Sequence, residues 1–82
     1  MNLIIDLSNE PYLILKQGRN KIASHKWSGL YQLNETLLLE IDKFLKENKI
    51  KLEDVKEIKV VPSKESIVST RIAKAIALGL KS

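Results

Sequence analysis

Asp6 and Ser8 are the first residues whose types and spacing could do chemistry. A carboxylate at the end of an apolar strand, two residues before a hydroxyl, is a place where an enzyme could hold a metal-bound phosphate. A phosphate-chemistry enzyme centred on Asp6 is therefore one reading. The same pair can simply cap a turn through local side-chain hydrogen bonds. The sequence favours the turn, because no phosphate loop and no second carboxylate in a fixed relation accompany Asp6. A second group is His25-Lys26-Trp27-Ser28, with Tyr31 nearby. Lys16, Arg19, Lys21 and Lys26 lie in a stretch with no acid between Pro11 and Asn34. Such a run could track a phosphate backbone while Trp27 stacks on a base, the chemistry of a small RNA-binding protein. Trp27 could equally anchor a core, with the lysines solvating a sheet edge. His25 has no evident orienting partner for work as a base. With no cysteine and one histidine, a disulfide scaffold, a cysteine zinc site and a multi-histidine site are excluded. No catalytic, cofactor-binding or metal-binding set is expected.

These residues must be positioned by elements that the apolar spacing announces. Leu3 to Leu7 reads as a buried strand, and Ser8-Asn9-Glu10-Pro11 as a turn. Tyr12 to Lys16 is a second strand. Gln17-Gly18-Arg19-Asn20 is a hairpin turn with Gly or Asn at positive φ, and Lys21 to Trp27 is a third, weaker strand. The period then changes. Leu33, Leu37, Leu38, Ile41, Phe44 and Leu45 fill about 140° of a helical face. Asn34 is the expected N-cap of that helix, with Leu33 and Leu38 as a hydrophobic staple, and Asn48-Lys49 its end. Leu52 to Val55 is one short turn. Glu57 to Val61 is a fourth strand, stopped by Pro62. Ser63 is the expected cap of a second helix reaching Leu80. Its main apolar side is Val68, Ile72, Ala75, Ile76, Gly79 and Leu80, beside a small-residue ridge of Ser69, Ala73 and Ala77.

The order is βββαβα, and a right-handed crossover places both helices on one face of a mixed sheet. At 82 residues, 44% hydrophobic and 29% charged, the chain is expected to be one α/β domain over residues 1–82 with a thin core. A two-lobed enzyme does not fit this length. The net charge of +4 permits an RNA or acidic partner without demanding one. The longest apolar runs are too short for a transmembrane helix. Asp6 interrupts the N-terminal run and no basic segment precedes it, so a signal peptide is not expected and the default compartment is the cytoplasm.

The strand end Ile5-Asp6-Leu7-Ser8 and this element order resemble the first lobe of the actin/Hsp70-like ATPase superfamily, a ribonuclease H-like fold. The segments Leu37–Glu47, Leu52–Val60 and Arg71–Leu80 resemble the TsaB (YeaZ) family, whose members are non-catalytic partners in making threonylcarbamoyladenosine on tRNA. Members begin with Ile-Asp-Thr-Ser, and here Leu7 replaces the threonine. Their glycine-rich segment falls on Val61 to Ser69, where no glycine remains, although Ser66 and Arg71 are retained. A phosphate cradle needs backbone N–H groups free of Cβ obstruction. Val61, Glu65 and Val68 obstruct it, and Glu65 repels phosphate. The resemblance therefore implies a truncated, single N-terminal TsaB-like lobe without nucleotide chemistry. It also implies pairing through the two helices, either with a TsaD-like enzyme or as a homodimer, and at most indirect tRNA contact.

The helical wheel adds its own reason for such pairing. Ile67 and Leu78 fall opposite the main stripe of the second helix, with Arg71 and Lys74 between them. Leu39 stands alone on the back of the first helix. Helices that pack only on their own sheet do not need apolar residues there. Leu39, Ile67, Arg71, Lys74 and Leu78 are thus the expected partner interface, with Arg71 available for a directional bond to a carboxylate.

Overall fold

Side-chain alternation in the first strand sets the two sides of the sheet. The structure, a computed structural model, describes residues 1–81. Strand β1 (Asn2–Asp6) sends Leu3 and Ile5 to one face, with Leu7 just beyond its end, and all three are fully buried. Strand β2 (Tyr12–Gln17) pairs antiparallel, with Leu15 opposite Leu3 and Leu13 opposite Ile5. Residues paired across strands share a face, so these leucines and isoleucines form one apolar layer. The turn to β3 (Asn20–Lys26) places Gly18 at φ 63, which glycine adopts without steric cost. A bulge between Leu15 and Lys16 shifts the β2–β3 register and leaves Ile22 at the margin, exposed. Strand β4 (Glu57–Val61) runs parallel to β1, giving the order β3-β2-β1-β4.

Two helices cover the apolar layer. Helix α1 (Leu33–Glu47) contributes Leu33, Leu37, Ile41, Phe44 and Leu45, and helix α2 (Ile67–Lys81) contributes Ala73 and Ala77. With Val55 they join the sheet residues in one core. Each fully buried aliphatic side chain there contributes about 1.5–3 kcal/mol against exposure. Ile4 and Ile14 point to the opposite sheet face and are only partly buried. The α/β class, the βββαβα order and the placement of both helices on one face are as the sequence implies.

The helix starts differ from the sequence expectation, for local reasons. A 3-10 turn at Leu30–Gln32 runs straight into α1, so Asn34 lies inside the helix and caps nothing. The entry is instead held by Thr36, whose Oγ1 donates to the Gln32 carbonyl at 3.1 Å. Leu38 is 53% exposed and forms no staple with buried Leu33. Helix α2 begins at Ile67 rather than Ser63. Ser66 is its cap, its Oγ accepting the Ser69 N–H at 3.0 Å. Ser63 Oγ instead accepts from the N–H groups of Glu65 and Ser66 and closes a separate turn. The largest correction concerns the face of α2. Its buried side is the ridge of Ser69, Ala73 and Ala77; Ile72, Ile76 and Leu80 of the expected apolar side pack against the core partly buried, while Val68 is exposed. Small side chains let the helix backbone approach the sheet and α1 closely. Ser69 confirms that closeness: its Oγ donates to the Leu30 carbonyl at 2.7 Å and accepts from Ser66 Oγ at 2.9 Å.

Helix α1 ends in two reversed bonds, Lys49 N–H to Lys46 C=O at 3.1 Å and Ile50 N–H to Leu45 C=O at 2.9 Å. This is a Schellman closure, with Lys49 in the left-handed region at φ 57. A non-glycine residue there is strained by roughly 1–2 kcal/mol, partly offset in a glycine variant by a more flexible unfolded chain. Lys49→Gly should therefore raise stability by about 0.5–1 kcal/mol, read as a higher urea midpoint at unchanged slope.

Candidate protein-interaction surface

Because α2 buries Ser69, Ala73 and Ala77, the residues on its opposite side face outward. Ile67, Val68 and Leu78 are 69%, 67% and 71% exposed, and Leu39 on the back of α1 is 67% exposed. Arg71 and Lys74 are exposed beside them. Four large apolar side chains on the outer surface of two neighbouring helices are unusual for a chain this small. Leu39, Ile67 and Leu78 carry their sequence-based assignment as accessible residues. Val68 and half-exposed Leu38 were assigned to the core stripes, and the structure adds both to the accessible apolar set. A signal for Val68 was present in the i, i+4, i+8 spacing of Ser69, Ala73 and Ala77, which marks the close-packed side. Ile67, Arg71, Lys74 and Leu78 recur at four- and three-residue spacing along one exposed side of α2. Lys74 and Leu78 flank a groove beside β4, together with Ala77 and Lys81, whereas Ile67 and Arg71 do not line it.

Asp6 and Ser8 sit as a turn. Asp6 Oδ1 accepts the Ser8 N–H at 2.9 Å and the Ser8 hydroxyl at 2.6 Å. On the segment after β4, the N–H groups of Glu65 and Ser66 are taken by Ser63, and that of Ser63 by Thr70 Oγ1 at 2.9 Å. Backbone donors that would have to point at a phosphate are thus spent on local side chains. Among the described residues, no three His, Cys, Asp or Glu side chains are grouped to hold a metal ion.

The basic and aromatic residues separate onto two faces. Lys16, Lys21 and Lys26 lie on the side of the sheet away from the helices, as their pairing with Asn2, Lys16 and Tyr12 requires. Arg19 is exposed in the β2–β3 turn. Trp27 packs against the core on the helix side and donates from Nε1 to Thr36 Oγ1 at 3.4 Å. It is not placed to stack a base over those lysines. The aromatic among them is Tyr12, whose ring centroid lies 5.6 Å from Lys26 Nζ. A hydrogen bond with Ser24 holds the Tyr12 phenol below its ordinary pKa, and the charges of Lys21 and Lys26 act in the same direction.

His25 does have an orienting partner, contrary to the sequence expectation. Its Nε2 lies 2.7 Å from Glu40 Oε2 on α1, and its ring stacks with Trp27 at 5.6 Å and Phe44 at 6.2 Å. This contact ties β3 to α1, and no local pattern could have announced a pairing across fifteen positions. No helix among the described residues is long and apolar enough to cross a membrane.

Comparison with known proteins supports this architecture. No protein-family model matches the chain, and no curated protein sequence matches it. Among solved structures, YeaZ from Pseudomonas aeruginosa superposes with a TM-score of 0.76 at 24% identity, over 98% of this chain. A second structure, described as an uncharacterized protein with similarity to peptidase YEAZ from Pseudomonas aeruginosa, gives the same score, identity and coverage. In both cases this chain spans 38% of the solved chain. The chain therefore has the fold of part of a YeaZ-type protein, a partial ribonuclease H-like lobe.

Proposed function

We propose that this protein is a non-catalytic interaction subunit of the TsaB type, which pairs through the outer face of α1 and α2 with a TsaD-like enzyme in tRNA threonylcarbamoyladenosine modification, or with a second copy of itself. The observation that carries the reading is the exposure of Leu39, Ile67 and Leu78 on that face. The likeness in fold to YeaZ supports it. Burying such side chains against a partner contributes about 1.5–3 kcal/mol each, and the fringe charges Arg71 and Lys74 favour an acidic partner rim. In this reading the chain supplies no cofactor site and acts in the cytoplasm, where tRNA is modified. The Pro62–Ser66 turn supports the absence of catalysis, since the N–H groups of Ser63, Glu65 and Ser66 are taken by the Thr70 and Ser63 hydroxyls. The test is reconstitution. Adding the purified chain to the TsaD-like enzyme of the same host should increase threonylcarbamoyladenosine formed on tRNA, and the chain alone should bind no Mg-ATP in calorimetry. An unchanged yield, or heat of ATP binding to the chain alone, contradicts it.

A further inference from the structure

Charge is unevenly spread over the molecule. Lys16, Arg19, Lys21 and Lys26 lie between Pro11 and Asn34, where no acid occurs, and the rest of the chain carries ten residues of each sign. The whole net charge of +4 therefore sits on the β2–β3 hairpin. The fold gathers these side chains. Lys21 lies opposite Lys16 and Lys26 opposite Tyr12, on the sheet face away from the helices. Four residues of strand, about 13 Å, separate the two pairs, and Arg19 is exposed at the turn. Lys26 Nζ lies 5.6 Å from the Tyr12 ring centroid, and the side chains of Ser24 and Lys21 reach the Tyr12 hydroxyl. Two ammonium groups and two hydroxyls thus converge at one point.

No carboxylate neutralises the row. Among the described residues the ion pairs are His25–Glu40 and Lys46–Asp42. The acids of the same sheet face, Asp6 and Glu57, belong to β1 and β4, and Asp6 Oδ1 is engaged by Ser8. β3 is the outer strand on the side opposite β4. An apolar cover over the hairpin would strand ionised lysines without partners, so the row stays wet whatever packs on Ile4 and Val61 of the other strands. A protein partner would need an apolar anchor here, and the hairpin exposes only Ile22, at its margin. Ammonium groups and hydroxyls in a row are instead the donors that a phosphate backbone accepts from. We propose that the β2–β3 hairpin binds the phosphate backbone of a nucleic-acid strand, one phosphate among Tyr12, Ser24, Lys21 and Lys26 and its neighbours along Lys16 and Arg19. This goes beyond the helix-face reading and uses a different surface.

The probe is a short fluorescent oligouridine, with the matching deoxy strand beside it, titrated with the full chain and read by anisotropy. Both strands should bind alike, because the contacts are to phosphate. Four neutralised phosphates give a log–log salt slope of about −3, so affinity should fall about fifty-fold between about 50 and 200 mM salt. Lys21→Ala with Lys26→Ala removes two contacts and should halve that slope, to about −1.4. Lys43→Ala with Lys56→Ala removes the same charge from exposed positions outside the hairpin and should leave the slope unchanged. None of these positions belongs to the helix face, so loss of strand binding and loss of helix pairing are separable. No binding at the lower salt, equal losses in the two double variants, or tighter binding to a polyglutamate peptide or to phosphatidylserine vesicles would overturn the proposal.

Discussion

Ile5→Ala should lower stability by about 2–5 kcal/mol. Ile5 is fully buried at the middle of β1, with Leu13 beside it on β2 and Val60 on β4. Neighbouring strands on both sides and helices above prevent the site from collapsing onto the missing methyls, so the cavity term is added to the lost transfer energy. A domain of this length holds about 4–12 kcal/mol in total, and the loss takes a large share of it. Ile4→Ala removes the same atoms one residue away, on the face the helices do not cover, and should cost about 1 kcal/mol or less. Urea unfolding followed by circular dichroism measures both. Equal losses would mean that the two faces of the sheet are not as unequally buried as described.

The second large effect concerns α2. Ala73 is fully buried, on the ridge that lets the helix sit close to the core. Ala73→Leu should destabilise by about 1–3 kcal/mol through overpacking. Val68→Ala removes two carbons from the same helix and should cost less than about 0.5 kcal/mol because the side chain is mostly in water. The opposite ranking would mean that Val68 faces the core. Circular dichroism of the two variants separates these cases.

That ranking also shows where sequence reading reached and where it stopped. Strand alternation at Leu3, Ile5 and Leu7 was legible because one sheet face is buried and the period of two leaves no other register. The helix ends and the face of α2 were less so. The apolar pattern selects the side with the largest side chains, and Ile72, Ile76 and Leu80 do pack against the core, yet the buried ridge is the small one, because close approach of backbones is gained there, and Val68 stays outside. The cap moved from Ser63 to Ser66 since a run with two serines offers two caps, and only the turn after Pro62 decides between them. The His25–Glu40 contact and the Ser69–Leu30 bond span distant positions, and nothing in either neighbourhood encodes them. The separation of Trp27 from Lys16, Lys21 and Lys26 follows from strand alternation, and with β3 ending at Lys26 it was readable only once the bulge had fixed the register.

Exposed Leu39, Ile67 and Leu78 follow from the same packing, and they carry the functional reading. The most direct test is light scattering during gel filtration of the chain mixed with the TsaD-like enzyme of its host, with the chain alone as reference. The expected result is a co-eluting complex, or a dimer of the chain, that Leu39→Asp with Ile67→Asp separates into components while circular dichroism stays unchanged. A monomeric chain that ignores the enzyme, or a double variant that binds as the parent does, would contradict pairing through this face.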